Sequence, residues 1–297
     1  MSELQPRRER SVLAQIFLSP DEPRLRAGWR LLIQTILMFV FGTILGAIAL
    51  FLGILDLNSL WGQILNFFII TGSVYVARRW LDKRSFESLG LKLDRHTVLD
   101  ILAGIAITFL QMGFIYIVML GLGWLTFQGF AWQFDPVDVV IRGVLSFLVV
   151  FIFVGWNEEL LSRGYHLQTI ASGLNLFWGV VISSAIFGLL HLGNPNATWV
   201  SAAGIFFAGV FLAYGYIRTK QLWLPIGLHI GWNFFEGVVF GFPVSGLADI
   251  YKLIRIQVHG PEIWTGGAFG PEAGLIVLPA LLLGALLIYL YTLGRPI

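Results

Sequence analysis

Apolar residues run in long blocks along almost the whole chain, separated by short polar or Gly- and Pro-bearing connections. A helix of about 20 apolar residues spans the hydrocarbon layer of a bilayer, and blocks of that length recur here. The pattern predicts helices at roughly 29–55, 60–79, 98–126, 139–171, 174–192, 198–218, 221–241 and 273–294. Glycines alternate with bulky apolar residues inside them, as in packed membrane helices, and no β-rich stretch competes. The first apolar run, 31–55, is too long for a signal-peptide core and lacks an obvious small-residue cleavage site, so it reads as a retained helix. The expected fold is therefore an all-α membrane protein, a polytopic bundle of about eight transmembrane helices.

Composition supports this reading. Of 297 residues 57% are hydrophobic and only 12% charged, with a mean hydropathy of +0.80; a soluble domain of this length needs more charge to cover its surface. The net charge of +2 is small and its basic residues are interrupted by apolar helices, which excludes a nucleic-acid footprint. There is no cysteine, so disulfides, thiolate catalysis and cysteine-ligated metal are excluded. Arg7, Arg8, Arg10, Arg24, Arg26 and Arg30 precede or open the first helix, and Arg78, Arg79, Lys83, Arg84, Lys92 and Arg95 follow the second. With both termini cytoplasmic these face inward, together with Arg163, Arg218, Lys220 and Arg295. Lys252 and Arg255 fall in an outer loop, and Arg142 near an outer helix end. That asymmetry is what the positive-inside rule requires.

Four regions result: a cytoplasmic segment at 1–28; N-terminal transmembrane helices at 29–130, with an interfacial stretch near 85–97; a core at 135–241; and an outer loop with the last helix at 242–297. The connection at 243–272 is too apolar for a freely solvated linker and is expected to cap the bundle.

Ionisable groups inside membrane helices are costly and usually face a cavity, a partner or a functional site. Here they concentrate in the fourth, fifth and seventh helices. Glu159 and Arg163 stand four apart with the acid first, the favourable order for a helical ion pair. Glu158 is turned about 100° away and faces elsewhere, as a candidate general base. For this motif alone, a helix end emerging into the cytosol is the alternative. The fifth helix carries His191, which alone reads more readily as a hydrogen-bonded packing residue than as a catalyst. On the seventh, His229 and Asn233 share a face, and Glu236 extends it; an interhelical hydrogen-bond network is the alternative there. A turn near 172–175 would bring Glu158 and His191 to one height. Levelling His229 with them requires that hairpin to project into the cytosol, which puts the site in the cytoplasmic half of the membrane.

Taken together, Glu158-Glu159 with Arg163, then Phe187 with His191, then His229 with Asn233 resemble the CAAX prenyl protease and bacteriocin-processing family. Its pattern is EExxxR, FxxxH and HxxxN on successive membrane helices. The resemblance covers about 150–240; His166 and Glu236 lie outside the pattern and stay unassigned. It implies an intramembrane endopeptidase in the bacterial plasma (inner) membrane, in contact with membrane lipid. The substrate would be a peptide or membrane protein, prenylated in the eukaryotic-type members. Glu158 would deprotonate water with help from His191. His229 and Asn233 would donate to the oxyanion, about 3 kcal/mol per donor. Glu159 and Arg163 would support them. The family's frequent description as metalloproteases leaves a divalent metal such as zinc, with His191 and His229 among its ligands, as an open alternative. A non-catalytic membrane immunity or scaffold protein of the same fold is the competing function. A proton-coupled transporter is disfavoured because repeated halves and paired broken helices are absent.

Overall fold

The computed structural model describes residues 11–53 and 59–295. Arg7, Arg8 and Arg10, and the last two positions of the first predicted helix, lie outside the described residues.

All eight predicted segments are helical. We number them α1 (Ala27–Phe51), α2 (Leu60–Leu81), α3 (Thr97–Gly121), α4 (Val137–Gly173), α5 (Leu176–Leu190), α6 (Trp199–Thr219), α7 (Trp223–Asn233, continued through Val239 by a wider turn) and α8 (Val277–Tyr291). The first six are long and apolar enough to cross a membrane. Large apolar side chains on their outer faces, such as Ile36, Phe39 and Ile44 on α1 or Ile141, Leu145 and Ile152 on α4, are exposed. In water they would form an apolar surface too extensive for a soluble monomer, and in a bilayer they meet lipid tails. The protein is an integral, all-α polytopic membrane protein.

The α3–α7 seam organises the interior. Three glycines let the two backbones touch: a Cβ on Gly104 would lie 2.4 Å from the Leu228 nitrogen, one on Gly227 2.3 Å from the Ile101 carbonyl oxygen, and one on Gly231 2.1 Å from Thr108 Oγ1. Small residues at such crossings are how membrane helices gain packing without a hydrophobic driving force. Gly227 and Gly231 are four apart and so share the face toward α3, whereas His229 and Asn233, each two positions further on, point to the other side. Ile107, Met112, Ile115 and Met119 of α3 then pack with Leu224, Leu228 and Trp232 of α7 and with Phe211, Val277 and Leu281. Gly231→Val should therefore force α3 and α7 apart, costing about 1–3 kcal/mol. A lowered unfolding midpoint in detergent checks this; an unchanged midpoint would contradict the seam.

The two ends of the bundle differ in charge. At one, Asp82 is fully buried among Arg24, Arg30 and Arg78, and Arg30 also reaches Ser172 at 2.7 Å. Arg295 pairs with Asp100 at 2.7 Å, and Arg218 with Thr292 at 2.8 Å. This basic end is the one the positive-inside expectation assigns to the cytosol. The 85–97 stretch packs against it: Leu89 and Leu91 are buried, and the Leu222 amide donates to the Gly90 carbonyl.

One stretch needs correction. The α3 helix stops at Gly121 instead of reaching 126, because Gly123 adopts a left-handed conformation (φ 69°) that ends the helix. The chain then forms β1 (Leu125–Phe130), antiparallel to β2 (Ile254–Val258) in the connection between α7 and α8, with an irregularity between Phe127 and Gly129. The aromatic and β-branched content of both segments suits strands, but their pairing spans more than a hundred residues and has no local signal. The turn of the α4–α5 hairpin at 172–176 is exposed, while the arm leading into it is packed against the bundle. Its polar residues Arg163, His166 and Thr169 are buried, and Gly173 abuts Ala27 at the start of α1.

Candidate active site

Glu158 and Glu159 sit mid-way along α4, where the helix widens into a π turn over Leu160–His166. Such turns insert an extra residue and re-aim side chains, and they favour functional sites. One turn earlier, Gly155 lets α4 approach α7: a Cβ there would lie 2.7 Å from Ile230 Cγ1. This contact carries Glu159 to His229.

Glu159 is completely buried, and its Oε1 accepts from Arg163 and from His229 Nδ1, both at 2.8 Å. Arg163, 1% exposed, also donates to the Gly209 carbonyl at 3.0 Å, and its guanidinium lies 4.3 Å over the Phe187 ring. Phe187 stacks in turn edge-on against His191, with centroids 4.7 Å apart. The phenylalanine of the fifth-helix motif thus supports the ion pair and the histidine together.

His191 Nδ1 faces the Phe187 carbonyl at 2.8 Å. A carbonyl can only accept, so Nδ1 carries the proton and Nε2 is left for the cavity. In His229 the Glu159 carboxylate plays the same role at Nδ1. Both Nε2 atoms aim at Glu158 Oε2, 3.8 Å from His191 and 3.7 Å from His229. Glu158 is a third exposed, and its Oε2 has no hydrogen-bond partner in the protein. Glu158, His191, His229 and Asn233 all line one cavity of about 810 Å³, walled by apolar residues of α2, α4 and α6 and roofed by residues 244–250 of the connection between α7 and α8. His229 is level with the stretch between Ile101 and Thr108, the first half of α3 and hence the basic half of the bundle.

Among the described residues, no group of three or more His, Cys, Asp or Glu side chains is arranged to hold a metal ion. Ligands placed tetrahedrally at zinc-bond lengths stand about 3.3 Å apart, closer than the Glu158–histidine spacings here.

His166 is buried beside Arg163 and away from the cavity. Glu236 does not extend the His229–Asn233 face as expected. The helix widens again over Phe234–Val239, which turns Glu236 out of register into a fully buried position off the cavity wall. Conversely, Glu272, from the connection between α7 and α8, lines the cavity and was not singled out in the sequence. Its only local signal is an acid in an otherwise apolar, Gly-rich stretch.

Residues 141–235 match the profile described as type II CAAX prenyl endopeptidase Rce1-like, a span that holds all three motifs. Over this segment the chain is similar to the type II CAAX prenyl endopeptidases, in line with the resemblance carried by the three motifs. The chain is also similar to YdiL of Bacillus subtilis (strain 168), a candidate membrane peptidase by its name, with 32% identity over 111 residues, 37% of this chain and 43% of that one. It is 32% identical over 89 residues to an uncharacterized 24.3 kDa protein of Escherichia coli, covering 29% of this chain and 40% of that one. The chain thus spans about two fifths of the length of these relatives. No solved structure matches. The Rce1-like segment comprises α4 to α7, so Glu272 and the roof of the cavity lie outside it.

Proposed function

We propose that this protein is an intramembrane endopeptidase that cleaves a membrane-associated peptide or protein in the plasma (inner) membrane of a bacterium, using a water activated by Glu158. The observation that carries the reading is the convergence of Glu158 Oε2 with the Nε2 atoms of His191 and His229 on one cavity wall. At 3.7 and 3.8 Å these groups are too far apart for direct hydrogen bonds and well spaced for a water held between them. Glu158 would take the water's proton as hydroxide attacks the scissile carbonyl carbon. His191, with Nε2 free to accept, would hold the same water. The proton on Glu158 would then pass to the leaving amine.

His229 and Asn233 would stabilise the oxyanion. Donation from His229 Nε2 requires the doubly protonated ring, and the buried Glu159 carboxylate at Nδ1 supplies its counter-charge. Asn233 is 7% exposed, lines the cavity, and can offer its amide N–H groups to a ligand. Its replacement by alanine is expected to lower kcat about 10²–10³-fold, as for removal of one oxyanion donor, with little change in KM.

The test is reconstitution with membrane-anchored peptide libraries, comparing wild type, Glu158→Ala, His229→Ala and Asn233→Ala. Equal cleavage by all four would sink the assignment and favour a non-catalytic scaffold or immunity protein of the same fold. An arm with chelator followed by zinc addresses the cofactor. Retained activity in chelator fits the protein groups acting alone, whereas loss and zinc recovery would recast Glu158 and the histidines as ligands. Prenylated and unprenylated anchors in the library define the substrate class.

A further inference from the structure

Glu272 lines the cavity together with Glu158 and Asp249, and it comes from the connection between α7 and α8, more than thirty positions beyond the Rce1-like segment. It is 4% exposed. Its two oxygens are committed to different parts of the structure. Oε1 accepts from Trp232 Nε1 at 3.1 Å, and Oε2 accepts from the Ser245 amide at 2.8 Å and the Ser245 hydroxyl at 2.6 Å. Trp232 is the covalent neighbour of Asn233 on α7. Ser245 belongs to the tight turn closed by the Val244 and Leu247 backbones, which forms part of the cavity roof.

The same turn is tied to the other catalytic helix. Asn194, three residues past His191, donates from Nδ2 to the Ser245 carbonyl at 3.0 Å. Gly246 packs so closely on this region that a Cβ would lie 1.9 Å from the Pro195 carbonyl oxygen. A Cβ on Gly204 of α6 would lie 1.9 Å from the Glu272 carbonyl oxygen, so the Glu272 backbone is itself held against the bundle.

We infer that Glu272 is a positioning residue of this site, bridging Trp232 on the oxyanion helix to Ser245 in the roof. The inference rests on the proteolytic reading above. It explains why a carboxylate is used: two oxygens accepting from opposite directions are needed, and a glutamine could satisfy only one side with its oxygen while presenting an amide N–H to the other set of donors.

The experiment compares wild type, Glu272→Gln, Trp232→Phe and the double variant in steady-state cleavage, with Glu158→Ala as the inactive reference. Rates are taken per folded molecule, well below the unfolding midpoint. Glu272→Gln is expected to lower kcat about 10–100-fold, the scale of small misplacements of catalytic groups, with KM changed less than about threefold. Because both residues act through one bridge, the double variant should lose much less than the product of the single losses. An independent readout uses the absence of native cysteine. Val244→Cys, at a buried roof position, should resist a water-soluble maleimide in the wild-type background and react once Glu272→Gln is added. Unchanged kcat, multiplicative losses, or a thiol equally protected in both backgrounds would each overturn the assignment. If cleavage survives Glu158→Ala, the proteolytic reading fails instead, and the thiol measurement still decides whether Glu272 holds the roof.

Discussion

Replacing Glu158 with alanine or glutamine is expected to lower peptide cleavage by about 10²–10⁴-fold, the range for removal of a general base. The structure separates this residue from its neighbour. Glu159 is fully buried and engaged by Arg163 and His229, whereas Glu158 is partly exposed to the cavity with an oxygen that no protein donor occupies. Only Glu158 can reach a substrate without dismantling an ion pair. Its loss should also cost little in folding, since Oε2 makes no hydrogen bond within the protein that alanine would break. The check is paired: kcat from peptide cleavage, and the unfolding midpoint of the same preparation. A variant that folds normally and still cleaves at the wild-type rate would remove Glu158 from the chemistry.

The opposite pattern is expected for Arg163. Arg163→Ala should destabilise the protein by about 3–5 kcal/mol, because it leaves Glu159 as an uncompensated charge in the bundle interior. Three further contacts go with the guanidinium: the bond to the Gly209 carbonyl, the stacking on Phe187, and through Phe187 the seating of His191. The double replacement Glu159→Gln with Arg163→Met removes both charges and should be clearly less damaging than Arg163→Ala. Denaturant or thermal unfolding in detergent measures both. A single variant as stable as wild type would show that Glu159 does not need this partner. The two predictions place neighbouring carboxylates in different roles, one chemical and one structural.

Much of this arrangement could be read along the chain. Helix positions follow from blocks of apolar residues, because a segment that enters lipid must satisfy its own backbone hydrogen bonds. Spacing within a helix is equally local: the 100° step divides Glu158 from Glu159, and the four-residue step pairs Glu159 with Arg163 and puts His229 beside Asn233. Other features had no such rule. The expected placement of Glu236 assumed an unbroken 3.6-residue period, and the wide turn at Phe234–Val239 broke it. The β1–β2 pairing joins residues more than a hundred apart, and Phe187 supports Arg163 only because α4 and α5 fold back on each other.

The sequence by itself determined a polytopic membrane bundle and the three motif-bearing helices, since bilayer thickness and helix geometry act on residues near one another in the chain. Only the tertiary structure decided which groups meet. It joined Glu159 to His229 across the α4–α7 contact at Gly155, aimed both histidine Nε2 atoms at Glu158, and brought Glu272 from the connection between α7 and α8 onto the cavity wall. Those contacts depend on where separate helices cross, and crossing is set by packing of small residues between distant segments, for which a single chain carries no local period.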